Sequence, residues 1–178
     1  MSDFRIRPER SGDYDAIERV LEASFENPGE ARLVTALRDL PVDPWLGLVA
    51  ENEAGDVVGH IAFSPVYVMP KGGQPGDEWS AIALAPLGVD PDWQRRGAGK
   101  QLTRAGLEAC RELGHSVVFV LGDPAYYPQF GFRSTADFGI TCEYDVPPEV
   151  FMVAELEPGA IAGRTGEVRY HPAFANLE

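Results

Sequence analysis

The chain opens with a short strand over residues 4–7 and then changes to three- and four-residue apolar steps, at Tyr14, Ile17, Leu21 and Phe25. That spacing puts all four on one side of an α-helix, with Ser11 positioned to cap its start, and predicts that this side is buried. Leu33, Val34, Leu37 and Leu40 repeat the pattern over residues 30–40. Pro41, which has no main-chain donor and cannot extend a helix, closes it. Two longer apolar runs follow, 45–51 and 57–68, joined by Glu53-Ala54-Gly55-Asp56. Gly and Asp in so short a connection fit a tight turn, so the runs read as an antiparallel hairpin. Lys71-Gly72-Gly73-Gln74-Pro75-Gly76-Asp77 is too rich in glycine for regular structure and predicts an exposed loop, a candidate border for a substrate site.

Residues 79–89 are almost wholly apolar, as in a strand covered on both faces. Asp90-Pro91-Asp92 then turns the chain toward a helix that opens at Gly97 and Gly99. Its apolar stripe is Ala98, Leu102, Ala105, Ala109 and Leu113, and Gly114 supplies the left-handed residue that ends it. Residues 116–121 form the next strand. Strand, helix, strand in that order requires parallel neighbours joined by a right-handed crossover, so the predicted class is α/β, an α+β mixed sheet with an antiparallel front half. Residues 138–144 and 150–156 add two strands, and the pattern fades after Gly163. No repeat or linker divides the 178 residues, and 1–178 reads as one domain.

Composition sets the limits. With 44% hydrophobic and 24% charged residues the chain is not a disordered segment. A net charge of -13 opposes nucleic-acid binding, which needs a basic surface to release counterions. Two cysteines, Cys110 and Cys142, and a start without a basic-then-apolar leader point to the cytoplasm; no apolar run is long enough to cross a membrane. His115 and His171 have no companions at metal-ligand spacing, so no metal is predicted. Against this acidic background Arg95, Arg96, Lys100 and Arg104 fall within ten positions, with no acidic residue until Glu108. A charge run alone is usually a solvated helix face. The glycines between these cations make it a candidate anion site.

A strand, a short turn and Gly-x-Gly at a helix start bring unpaired N–H groups to one point, where the helix dipole also favours negative charge. A Walker loop would need glycine where Gln94 stands and Ser or Thr at Gln101. A dinucleotide loop would need a third glycine at Leu102. Both fail. Gln94-Arg95-Arg96-Gly97-Ala98-Gly99 instead resembles the Gln/Arg-x-x-Gly-x-Gly/Ala motif of the Gcn5-related N-acetyltransferase superfamily. The resemblance runs from about Ala83 to Phe132 and includes Tyr126-Tyr127-Pro128-Gln129-Phe130-Gly131-Phe132, similar to the superfamily's aromatic-Tyr-x-x-x-Gly-Phe segment. Leu84-Ala85-Pro86-Leu87-Gly88-Val89 and Phe119-Val120-Leu121-Gly122-Asp123-Pro124-Ala125-Tyr126-Tyr127 look closest to its YhbS-like bacterial branch.

That resemblance implies a mixed sheet of six to seven strands flanked by about four helices, with two central parallel strands splayed apart. It implies acetyl-CoA as co-substrate and an amine as acceptor, on a small molecule or at a protein N-terminus or lysine. By the same resemblance Leu87, Gly88 and Val89 hold the pantetheine arm. Gln94, Arg95, Arg96, Gly97, Ala98, Gly99 and Lys100 hold the pyrophosphate. An N–H near Val89 polarises the thioester carbonyl, and Tyr127 protonates the departing thiolate, with Tyr126 as its packing neighbour unless the two roles are exchanged. Pro86 is an independent check, since a proline inside a strand is tolerated where pairing lapses. The chain departs from the superfamily where an asparagine often contacts CoA; Gly122-Asp123-Pro124 stands there, and Asp123 reads as a cap for a short helix begun by Pro124.

The general base is left unassigned between Glu78, His60 and water. Trp45, Trp79 and Tyr67 are candidates to line an acceptor pocket, the loops around 25–32 and 71–78 would select the acceptor, and the acidic chain favours a cationic one. A homodimer stays open. Two other readings compete: an acyl-CoA-binding sensor without turnover, and a thioesterase built on Cys110 or Ser64. Cys110 reads as a core residue and Ser64 lacks a Gly-x-Ser-x-Gly elbow.

Overall fold

The computed structural model describes residues 4–40 and 42–176. The elements are β1 (Arg5–Pro8), α1 (Tyr14–Phe25), α2 (Gly29–Asp39), β2 (Leu46–Glu51), β3 (Val57–Met69), β4 (Trp79–Val89), α3 (Ala98–Glu112), β5 (Val117–Leu121), β6 (Arg133–Ser134), β7 (Ile140–Cys142), β8 (Phe151–Glu155) and β9 (Gly166–Arg169). They fall into two compact units, one of residues 4–64, 85–108 and 172–176, the other of 65–84 and 109–171. β3, β4 and α3 run from one unit into the other.

In the first unit β1 pairs antiparallel with β2, and β2 antiparallel with β3. Gly55, with φ +84°, makes the tight turn between β2 and β3 that the sequence predicts. Side chains of β3 alternate. Ile61 and Phe63 meet α3, where a Cβ on Gly106 would come within 2.5 Å of the Phe63 ring. The ring is fully buried, so Gly106→Val should destabilise the protein by about 1–3 kcal/mol, read as a lower urea midpoint with unchanged slope. α1 and α2 pack together through Ile17, Leu21, Ala31 and Val34 over Val49. The exit of β1 is pinned by Arg7, whose guanidinium donates to both carboxylate oxygens of Asp13 at 2.7 and 2.9 Å and to Glu51 at 3.1 Å.

In the second unit β4 runs parallel to β5, with Ile82, Ala83 and Leu84 opposite Val118, Phe119 and Val120. Pro86 follows these pairs in the chain and belongs to the first unit. β5 and β8 are antiparallel over five residue pairs, and Phe119 stacks on Phe151 with ring centres 5.7 Å apart. The end of β3 pairs antiparallel with β9, which lies parallel to β7.

The pairing is mixed, as predicted, but nine strands and three α-helices occur among the described residues, against six to seven strands and about four helices. β6, β7 and β9 have two to four residues each, too short to show a period. A single 3-10 turn, Tyr127–Phe130, follows β5 instead of a helix begun at Pro124. Four local expectations are corrected. Ser11 caps nothing; it starts a 3-10 turn whose Asp13 carboxylate takes the Arg10 N–H at 2.7 Å. Tyr14 is 38% exposed because it lies over the Arg38 guanidinium, 3.8 Å from its ring centre, and not in the core. On α3 the buried line is Ala98, Leu102, Gly106 and Cys110; Ala105 and Ala109 are half-buried and Leu113 is 62% exposed. α2 ends before Leu40, which is also exposed, and Pro41 lies outside the described residues.

Candidate active site

β4 leads into the glycine loop through the 3-10 turn Pro91–Trp93. The Asp90 carboxylate caps this turn by accepting the Asp92 N–H at 2.9 Å, and the Asp90 N–H donates to the Val58 carbonyl at 2.8 Å. Gln94 Nε2 donates to the Val89 carbonyl at 2.9 Å, so the motif's first residue closes the turn back onto the strand. Arg95 and Gly97 both have left-handed backbone, φ +64° and +95°. For arginine this costs about 1–2 kcal/mol, a strain that clusters at ligand clamps. Left-handed residues of this kind turn successive N–H groups into an anion-binding concavity.

α3 begins at Ala98 with no acidic residue in its first turn. Its first intrahelical bond runs from the Gln101 N–H to the Gly97 carbonyl at 3.0 Å, so the N–H groups before it have no partner within the helix. Arg95, Arg96 and Lys100 are exposed, and the Arg96 guanidinium rests 4.8 Å from the Trp93 ring centre. Before the turn, Leu87 and Val89 are half-buried and Gly88 is buried. A Cβ on Gly88 would stand 2.9 Å from Leu21 and 3.3 Å from Ser24 and Phe25, so α1 presses directly on this backbone.

In the second unit Tyr127 is buried beside Gly122; a Cβ on Gly122 would overlap its ring. Its ring meets Phe132 and Tyr126 edge-on at 5.5 and 5.0 Å. Burial, with the nearby Tyr126 and Asp123, raises the phenol well above its ordinary pKa, so it carries its proton at neutral pH. Tyr126 is half-buried against Phe130. Asp123 accepts the Ala125 N–H at 2.8 Å, a turn cap. Glu78 is exposed and takes the Gly76 N–H at 2.8 Å. The loop expected to border a substrate site lines a cleft of about 660 Å³ with Lys71, Gly72 and Gly73, facing Thr141, Glu167 and Arg169. Trp79 packs on Phe119 under Arg164, and Tyr67 is 54% exposed.

His60 is fully buried in the first unit, and its Nε2 lies 2.8 Å from Glu9 Oε1. Glu9 Oε2 accepts from Arg38 Nε at 2.8 Å and Trp45 Nε1 at 3.4 Å. Burial would raise the Glu9 carboxyl, but the bonds from His60 and Arg38 outweigh it and lower the pKa to about 2. For His60 burial dominates and lowers the pKa. Glu9 and Arg38 gave no signal in the sequence beyond their charge. Burial pushes the Cys110 thiol up to about 12, and the buried Ser64 Oγ has no hydrogen-bond partner among the described residues, so neither is an activated nucleophile. No group of three or more His, Cys, Asp or Glu able to hold a metal occurs among the described residues, and no helix there is long and apolar enough to cross a membrane.

The sequence pattern of the acetyltransferase (GNAT) family matches residues 14–132, from α1 through the glycine loop to the aromatic segment. This chain belongs to that family. It is 39% identical over 171 residues to the "Uncharacterized N-acetyltransferase YhbS" of Escherichia coli K12, covering 95% of this chain and 97% of that one. It is 35% identical over 117 residues to the mycothiol acetyltransferase of Propionibacterium freudenreichii, covering 62% of this chain and 35% of that one. The crystal structure of Escherichia coli YhbS in complex with CoA superposes with a TM-score of 0.89 at 37% identity, over 98% of this chain and 93% of that one. A GNAT family acetyltransferase from Brucella melitensis in complex with acetyl-CoA gives 0.74 at 35% identity, over 96% and 97%. This GNAT chain is thus an acyltransferase, and its family match includes the glycine loop and Tyr127.

Proposed function

We propose that this GNAT acetyltransferase moves an acetyl group from acetyl-CoA to an amine, with the whole chain 1–178 serving as one catalytic domain in the cytoplasm. The observation that carries the reading is the left-handed backbone at Arg95 and Gly97 ahead of an α3 first turn free of acidic residues. A pyrophosphate placed there meets converging N–H groups, the positive end of a helix and the cations Arg95, Arg96 and Lys100. The relatives in complex with CoA and acetyl-CoA support the ligand. Gln94 to Lys100 would hold the pyrophosphate, and the backbone of Leu87, Gly88 and Val89 would hold the pantetheine amides as an added strand does.

The amine nitrogen attacks the thioester carbonyl carbon, whose oxygen the Val89 N–H polarises. The carbon–sulfur bond breaks, and Tyr127 gives its proton to the leaving sulfur. A phenol that stays protonated at neutral pH suits that role. The acceptor is a small molecule, a protein N-terminus or a lysine, and a net charge of -13 draws cationic acceptors.

Calorimetry with acetyl-CoA, followed by mass spectrometry of products from a panel of primary amines, tests the reading. Gly97→Val forces a β-branched residue into left-handed backbone at about 1–2 kcal/mol and displaces the N–H cradle, so acetyl-CoA affinity should fall about tenfold or more while the thermal midpoint drops by only about 2–8 °C. Unchanged affinity would remove the loop from the site. Tight binding with no acetylated amine in the panel would instead mark a sensor of acyl-CoA.

A further inference from the structure

We propose that His60, fixed in one tautomer by Glu9, accepts the proton released by the acceptor amine through one bridging water. This rests on the acetyl-transfer reading above, and the first unit alone supplies its geometry. Along β3, a Cβ on Gly59 would meet Leu102 of α3 at 3.0 Å, whereas the next residue, His60, points to the other face, toward Glu9 and Arg38. On the neighbouring β4, a Cβ on Gly59 would stand 3.5 Å from the Gly88 carbonyl, and the Asp90 N–H binds the Val58 carbonyl at 2.8 Å. His60 therefore sits beside the 87–88 stretch proposed to hold the thioester arm. Gly88 faces α1 through Leu21, Ser24 and Phe25, and α1 packs with α2, which carries Arg38. His60 and Gly88 thus share one face of the sheet.

The tautomer follows from the partners. An ionised carboxylate only accepts, so Nε2 carries the hydrogen toward Glu9 Oε1 at 2.8 Å and Nδ1 keeps its lone pair. Nδ1 is buried and has no hydrogen-bond partner among the described residues; the same holds for Arg38 Nη2. Buried polar atoms of this kind are satisfied by water, and a base works equally well through one water. A structural tie needs only a donor to Glu9, which glutamine would supply; histidine adds a second nitrogen that can take a proton. A carboxylate–imidazole pair with the second nitrogen bare is instead the arrangement that orients a histidine base and stabilises the imidazolium it becomes.

The protons balance. An ammonium acceptor loses two protons in becoming an amide. One passes through water to His60 Nδ1 and then to solvent. The other restores the phenol that Tyr127 gave to sulfur. Glu9 and Asp13 favour the imidazolium, while Arg38 and burial oppose it, so the imidazole starts each cycle neutral and does not hold the proton.

The test compares wild type with His60→Gln, which keeps an N–H for Glu9 but has no titrating nitrogen, on a series of small primary amines of falling basicity at saturating acetyl-CoA. Expected is a loss of about a hundredfold or more with strongly basic amines, little loss with amines already neutral at the assay pH, and unchanged acetyl-CoA affinity. An equal loss along the series, or none, overturns the role of His60 and leaves the acetyl-transfer reading standing. A wild type that acetylates no amine overturns both. Should His60→Gln fail to fold, ¹⁵N–¹H NMR of the wild-type imidazole decides: hydrogen on Nε2 with Nδ1 bare supports the proposal, and hydrogen on Nδ1 overturns it.

Discussion

Replacing Tyr127 with phenylalanine should lower kcat by about a hundredfold to ten-thousandfold, the span typical of a general acid, while acetyl-CoA affinity stays within about twofold. The split follows from the surroundings. Phenylalanine keeps the edge-on contacts to Phe132 and Tyr126, so the corner should stay packed, and only the proton for the thiolate is lost. Burial raises the phenol above its ordinary value, so it gives no alkaline limb to kcat below about pH 10. Gly122→Ala checks this independently: its methyl would overlap the Tyr127 ring and move the hydroxyl without removing it. Turnover should fall in that variant too, with the acetyl-CoA dissociation constant preserved. If kcat of Tyr127→Phe stayed within about threefold of wild type, the acid would have to be sought elsewhere, with Tyr126 next.

The second large effect is on stability. Glu9→Ala should cost about 3–5 kcal/mol, because it strands the Arg38 guanidinium, whose side chain is 11% exposed, and unties His60. The same residue sets an acid limit. Its folded pKa is depressed, to about 2 from 4.5, so its contribution is complete above pH 4.5 and is lost as the pH falls toward 2. The difference between those values corresponds to about 3 kcal/mol. His60 acts in the same direction: its folded pKa is lowered from 6.5, so the unfolded chain takes up the proton first and stability begins to fall below about that pH. Urea midpoints at pH 7, 5 and 3 should decline for wild type, and Glu9→Ala should start lower and lose most of the slope between 5 and 3. A wild type equally stable at all three would show that this cluster contributes no linked protons.

Periodicity located α1, α2, β3 and β4 to within one or two residues, because each is long enough for its apolar face to repeat. The glycine loop was legible for another reason: an anion site at a helix start is a local backbone device, made by neighbours in sequence. The Glu9–His60–Arg38 cluster was not legible, since Glu9 and His60 are 51 positions apart and meet only because Glu9, at the exit of β1, passes over Gly47 of β2 to reach β3. Nor was the buried line of α3, because Gly106 has no side chain to enter an apolar stripe and is buried by the Phe63 ring that fills its place. The short strands β6, β7 and β9 exist only through the strands they pair with. Local order in the sequence thus determined the long elements, the loop and the family. Tertiary contact alone decided which polar groups were buried together, because burial is a property of distant neighbours.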